Sequence, residues 1–343
     1  MMYSMLIMTL STSTIITLAS HHWLLAWLGL EINTLAMIPI IAQPHNPRAT
    51  EAATKYFLIQ AIAAAMILFS SIINAWQTSH WTIMETASPT ATTILALALI
   101  MKLGLAPTHF WYPEVIQGST MTTALILSTW QKLAPLALIY MTLHQLSPTI
   151  MLTMGLLSAL VGGWAGLNQT QLRKIMAFSS IAHMGWLLAA TTLSYNLMTL
   201  TLMTYIIMTT TMFITLMHTT TKTLPDLATT WTQTPLLLST TTLALMSLGG
   251  LPPLTGFAPK WLITKELIST TLLPVATTLI LASLPSLFFY IRLAYFTTLT
   301  APPSNTNNKL TWRFKTTTPK PLALTLTTTA LLLPTTPLMY PTL

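Results

Sequence analysis

One carboxylate and three amines sit inside segments apolar enough to cross a lipid bilayer, and the chain must fold so that none is left bare there. Glu31 lies within WLLAWLGLEINTLAMIPIIA, Lys102 closes ATTILALALIMK, Lys132 separates MTTALILSTWQ from LAPLALIYM, and Lys260 follows SLGGLPPLTGFAP. At the bilayer centre each costs about 2.5–3.5 kcal/mol on insertion scales, so the four cost roughly 10–14 kcal/mol unless paired or hydrated. Only 6% of the residues are charged, which leaves no surplus to scatter. Ionisable groups at such depth read by default as an ion or proton pathway.

The surrounding sequence agrees. Of 343 residues 53% are apolar and mean hydropathy is +0.66, whereas a soluble domain carries about 25% charged residues. The fold class expected is an all-α polytopic membrane protein. Threonine fills much of the polar quota, because its hydroxyl can bond a carbonyl of its own helix. The net charge of +8 is spread over loops rather than gathered on an aromatic-interleaved face, so no nucleic-acid partner is expected. Cysteine is absent, which excludes disulfides, Fe–S ligation and Cys-based zinc sites. The first basic residue is Arg48. A cationic signal region or an Arg-rich transit peptide is therefore missing, and the first apolar stretch is expected to be a retained span.

At about 20 apolar residues per crossing, the sequence divides into about eleven transmembrane helices. They fall at 3–20, 23–43, 51–76, 90–112, 120–142, 149–168, 175–193, 196–218, 235–270, 274–297 and 321–340. Thr298–Lys320, rich in Pro, Asn and Thr, is the longest polar loop. Loops after even-numbered spans hold Arg48, Arg173, Lys174, Lys222, Lys309, Arg313, Lys315 and Lys320; loops after odd-numbered spans hold none, only groups such as His21, His22, Glu85 and His144. By the positive-inside rule the even loops face the cytoplasm or its organellar equivalent. The N-terminus is expected on that side and the C-terminus opposite.

Two spans are interrupted: the fourth reads MKLGLAPTHFWYPEV and the ninth LMSLGGLPPLTGFAPKW. Broken helices in corresponding halves point to a transporter site built from inverted repeats. The expected organisation is a single domain, 1–343, with an extra N-terminal helix (1–22) and two five-helix repeats, 23–170 and 171–343. Lys102 and Lys260 lie close to the two breaks.

Each candidate residue has a sharp and a plain reading. Lys132 has ten apolar residues on either side and no acidic neighbour in its span, which favours proton carriage over a structural ion pair. Lys260 beside its break either carries protons or caps freed carbonyls. Glu31 and Lys102 form the obvious pair, either a coupling switch or a static bridge between helices. His183, mid-span in SSIAHMGWLL, either bridges distant lysines or simply packs. Glu51, Glu85, Glu114 and Glu266 lie near span ends and read as solvated. Gly162 and Gly166 fit close helix packing. No Gly-rich phosphate loop and no defensible bis-His arrangement suggests a redox centre.

The segment KLGLAPTHFWYPEVIQGSTMTTALILSTWQKLAP resembles the antiporter-like subunits of proton-pumping NADH:ubiquinone oxidoreductase, respiratory complex I. RKIMAFSSIAHMGW and LGGLPPLTGFAPKWLITKEL resemble further blocks of that family, and length, composition and lack of cysteine resemble its mitochondrially encoded vertebrate members. The resemblance implies an antiporter-like bundle in the mitochondrial inner membrane, N-terminus in the matrix and C-terminus in the intermembrane space. It implies Glu31 as coupling glutamate, Lys102 as its partner, Lys132 as central-channel lysine and Lys260 as the lysine of the second broken helix, with a looser match for His183. It implies a translocase subunit without redox chemistry of its own. NAD, FMN, Fe–S clusters and ubiquinone would reside on other subunits, and neighbouring antiporter-like subunits and lipids would be the partners. A structural scaffold and a free-standing cation/proton exchanger are the alternatives.

Overall fold

The computed structural model describes residues 2–43, 45–85, 88–230, 234–298, 320–331 and 333–336. Lys309, Arg313 and Lys315, most of the expected Thr298–Lys320 loop and the last residues of the eleventh span lie outside the described residues. Among the described residues the secondary structure is helical, with two isolated antiparallel bridges. The chain divides into two compact units, Met1–Ser158 and Ala159–Leu343.

In the first unit α1 (Met2–Ala19), α2 (Trp23–Ala42) and α3 (Pro47–Thr78) pack in succession. The fourth expected span, 90–112, is α4 (Pro89–Leu103) followed by a break, and a second helix, α5 (Trp111–Gly118), begins at its end and runs past it. The fifth is two helices, α6 (Met121–Ser128) and α7 (Leu133–Met141), joined by a single 3₁₀ turn at Trp130–Lys132. The sequence reading expected no interruption there. Pro135 lies just beyond it and, with no N–H, leaves the Gln131 carbonyl without the bond that would continue the helix. α8 (Pro148–Gly166) follows, and the division between the units falls within it.

The second unit contains α9 (Leu172–Thr191), α10 (Tyr195–Thr219), the short α11 (Leu224–Thr229), α12 (Pro235–Gly249), α13 (Phe257–Ser269), α14 (Leu273–Thr298) and α15 (Lys320–Leu331). Six of the segments are long and apolar enough to cross a membrane: α2, α3, α6 with α7, α8, α10 and α14. Four shorter apolar helices lie in α1, α4, α12 and α15. All eleven expected segments contain helix, and α11 is an addition that was not expected. By length and composition alone, crossing helices number six among the described residues, so a count of eleven remains a reading of the sequence.

The same local devices recur in both units. The α2 start is tied to a later loop by Trp23 N–H to the Trp81 carbonyl (3.0 Å) and Ile83 N–H to the His21 carbonyl (3.1 Å). The α9 start repeats this with Leu172 N–H to Lys222 (3.1 Å) and Leu224 N–H to Thr170 (3.2 Å). α4 ends at Gly104 (φ 72°) and α12 at Gly250 (φ 80°), left-handed conformations that glycine adopts without steric penalty. Each glycine is followed by Leu and, three residues on, by a proline in a cis peptide, Pro107 or Pro253. Helix resumes seven residues after the glycine, at Trp111 and at Phe257.

Threonine behaves as its chemistry requires. Thr201, Thr211 and Thr215, all buried, donate to carbonyls three residues back at 2.8, 2.6 and 2.8 Å. A hydroxyl satisfied inside its own helix adds no unmet donor to an apolar interface. Gly162 also fits its expected packing role: a Cβ there would lie 2.6 Å from the Ala182 nitrogen, so α8 and α9 meet backbone to backbone.

Candidate functional site

In the first unit Lys102 occupies the last turn of α4, where an amine near exposed carbonyls meets the negative end of the helix dipole. Lys132 closes the 3₁₀ turn between α6 and α7. They are 6% and 3% exposed and line one small cavity of about 20 Å³. Asn33 from α2, Tyr56 and Gln60 from α3, Tyr112 from α5 and Gln131 beside Lys132 complete its polar wall. The Lys132 Nζ stands 5.1 Å from the centre of the Tyr112 ring, a geometry that favours a cationic amine. Gln60 Nε2 donates to the Lys102 carbonyl at 3.3 Å, satisfying an acceptor at the broken end of α4.

Glu31 is half-buried on α2, within electrostatic range of both Lys102 and Tyr56. It does not touch Lys102. Glu31 Oε2 and Lys102 Nζ are each buried without a hydrogen-bond partner. The expected pair therefore stands open in this structure.

In the second unit Lys260 donates its Nζ to the Gly249 carbonyl at 2.8 Å. Its side chain folds back over Gly250, where an added Cβ would meet the Lys260 Cδ and Nζ at 2.9 Å. Of the two sequence readings, capping of the break is the one on display. His183 Nε2 lies 3.4 Å from the Tyr290 hydroxyl, and its ring centre lies 6.0 Å from that of Tyr205. His183 therefore belongs to a cluster of α9, α10 and α14.

The breaks also show that Lys102 and Lys260 are not equivalent. Lys102 precedes its left-handed glycine by two residues, whereas Lys260 follows its own by ten. The first-unit counterpart of Lys260 is Glu114, on α5. Glu114 is bound to Lys55 at 2.6 Å, and Lys55 also holds Glu51 at 2.5 Å. Glu51 and Glu114 are exposed, as expected, but both are ion-paired through a lysine the sequence reading did not single out. It also passed over Arg292 of α14, which donates to the Leu167 carbonyl at 2.7 Å. Among the described residues no three His, Cys, Asp or Glu side chains are grouped so as to hold a metal ion. His22 instead caps α2, accepting from the Leu24 amide at 3.2 Å and stacking on Trp81.

A chain of broken apolar helices with buried amines at the breaks defines an ion-translocating membrane protein. The NADH:quinone oxidoreductase/Mrp antiporter transmembrane family profile matches residues 20–286, and the NADH dehydrogenase subunit 2 C-terminus profile matches 287–340. The chain belongs to the NADH:quinone oxidoreductase/Mrp antiporter family. It is 56% identical to NADH-ubiquinone oxidoreductase chain 2 of Carassius auratus over 97% of this chain and 96% of that one. It is 51% identical to the chain of the same name from Xenopus laevis, over 91% and 90%. Among solved structures, a chain of respiratory complex I from Thermus thermophilus superposes with a TM-score of 0.82 at 27% identity, over 97% of this chain and 79% of that one. A chain of the Mrp complex from Dietzia shares the fold at a TM-score of 0.80 and 16% identity, over 88% and 62%.

Proposed function

We propose that the chain is a core membrane-arm subunit of a mitochondrial NADH:ubiquinone oxidoreductase and that it translocates protons across the inner membrane. Electron transfer from NADH to ubiquinone proceeds on other subunits, which hold the NAD, FMN and Fe–S sites. Neighbouring antiporter-like subunits and lipid surround the bundle, with the N-terminus on the matrix side and the C-terminus in the intermembrane space. The observation that carries the reading is the placing of two deeply buried amines, Lys102 and Lys132, in one polar cavity at two helix breaks.

Glu31 and Lys102 act as the coupling pair. Two unit charges about 6 Å apart interact by roughly 3 kcal/mol at an effective dielectric near 20. Closing the pair therefore changes the potential at Lys132 enough to move a proton. Lys132 takes a proton from the matrix side and passes it on towards Lys260, with His183 as an intermediate group. Lys132→Ala in the assembled complex tests this. Electron transfer with fewer protons pumped per NADH oxidised supports the reading; an unchanged pumping ratio would assign the chain a scaffold role.

A further inference from the structure

The cavity contains a second polar system that carries no charge. Gln131 and Asn33, 98 residues apart in sequence, meet through Gln131 Nε2 donating to Asn33 Oδ1 at 3.0 Å. The other end of the same amide, Oε1, accepts from the Tyr56 hydroxyl at 3.5 Å. Asn33 and Tyr56 are each 2% exposed and Gln131 is half-buried, so α2 and α3 each contact one end of a single side chain. That side chain belongs to the residue preceding Lys132.

The backbone at this point is irregular. Thr129 stays in the right-handed helical region but far from ideal angles (φ −113°, ψ −68°), and Lys132 N–H reaches the Thr129 carbonyl only at 3.4 Å. Pro135 donates nothing to the Gln131 carbonyl. A short 3₁₀ stretch within a helix marks a hinge or a segment under strain.

We infer that Asn33 and Tyr56, by clamping the Gln131 amide, position the Lys132 amine in the cavity and link it to the helix that carries Glu31. Asn33 lies two residues from Glu31 on α2, so a shift of α2 when Glu31 changes partner moves Asn33. Gln131 follows, and with it the adjacent Lys132. The neutral amides hold no proton themselves. They are positioning residues, and their role rests on the proton-carrying role proposed above for Lys132.

The test uses assembled complex in sealed vesicles carrying Gln131→Leu, Asn33→Leu, both together, or the exchanged pair Asn33→Gln with Gln131→Asn. Lys132→Ala serves as the reference, and NADH-driven electron transfer and proton translocation are measured side by side. The expected result is that Gln131→Leu transfers electrons yet loses the same share of pumped protons as Lys132→Ala. Asn33→Leu removes one of the two bonds on the Gln131 amide and loses up to that share, and the double variant loses no more than Gln131→Leu alone, since that variant already lacks both bonds. The exchanged pair recovers pumping. Normal pumping by Gln131→Leu alongside a Lys132→Ala defect would overturn the clamp alone; normal pumping by Lys132→Ala would overturn the functional reading as well. Losses that add in the double variant and are not recovered by the exchange would reduce the pair to helix packing. Should Gln131→Leu fail to assemble, Tyr56→Phe removes a single hydroxyl and is expected to give a partial loss; full pumping there would overturn the role of Tyr56.

Discussion

Lys260 caps a helix break and, in the function proposed above, also carries protons, two purposes that mutation can separate. Its bond to the Gly249 carbonyl satisfies an acceptor that the break in α12 sets free, and leaving such a buried acceptor bare costs about 1–3 kcal/mol. Lys260→Leu should therefore lower both the thermal midpoint of the complex and its pumping. Arginine keeps a donor for the carbonyl but holds its proton permanently. Lys260→Arg should thus retain the thermal midpoint while losing pumped protons, and normal pumping in that variant would leave Lys260 only its capping role. The four intramembrane charges were legible in the sequence because a charge in an apolar run is rare and costly. Their partners were not. Asn33 on α2, Tyr56 and Gln60 on α3 and Gln131 in the 3₁₀ turn are ordinary residues, and only packing brings them to one cavity. The Glu31–Lys102 pair was legible as chemistry, yet whether it stands open or closed depends on side-chain placement that no spacing encodes.

The two main breaks were readable as elements because Gly and Pro act locally. Gly104 holds φ 72° with the Trp111 and Tyr112 side chains 3.1 Å from where a Cβ would stand. Gly104→Ala should destabilise the subunit by about 1–2 kcal/mol from backbone strain alone, with the crowding added, read as a lower thermal midpoint. The third break escaped notice because a single proline in an apolar run leaves a helix unbroken often enough to pass as ordinary. The short α11 was missed for a different reason: it is fixed by polar contacts and not by apolar periodicity. The Thr223 hydroxyl, with the Thr223 and Lys222 amides, holds the Asp226 carboxyl below its ordinary range. A depressed folded value means the stabilisation is present above the ordinary carboxylate range and fades as pH falls through the folded one. Amide-exchange protection at Lys222 and Thr223 should therefore fall on acidification. Asp226→Asn should abolish that pH dependence, and protection that stays pH-sensitive in the variant would exclude the carboxyl as its source. Asp226 is exposed, so the effect is confined to the start of α11.

For the molecule as a whole, the alternation of basic and base-free loops remains the strongest guide to how the chain threads the bilayer, because it depends on charge and not on helix length. α4 and α12 are too short to count as crossings, since their glycines stop them midway. A broken crossing is completed by a second helix, so a count based on continuous helices returns fewer spans than the loop charges imply. The absence of cysteine makes this testable on the intact chain, because each introduced thiol is the only one this subunit presents. Cysteines at Gln169 and Lys222, in loops after the sixth and eighth expected spans, should react with an impermeant reagent from the matrix side alone. Cysteines at Gln145 and Ser194, after the fifth and seventh, should react from the other side alone. Reaction of Gln145 and Gln169 from the same side would mean that α8 does not cross. The two broken crossings would then no longer occupy matching places in the two halves, and the repeat seen in the loop ties of α2 and α9 would lose its counterpart in the membrane.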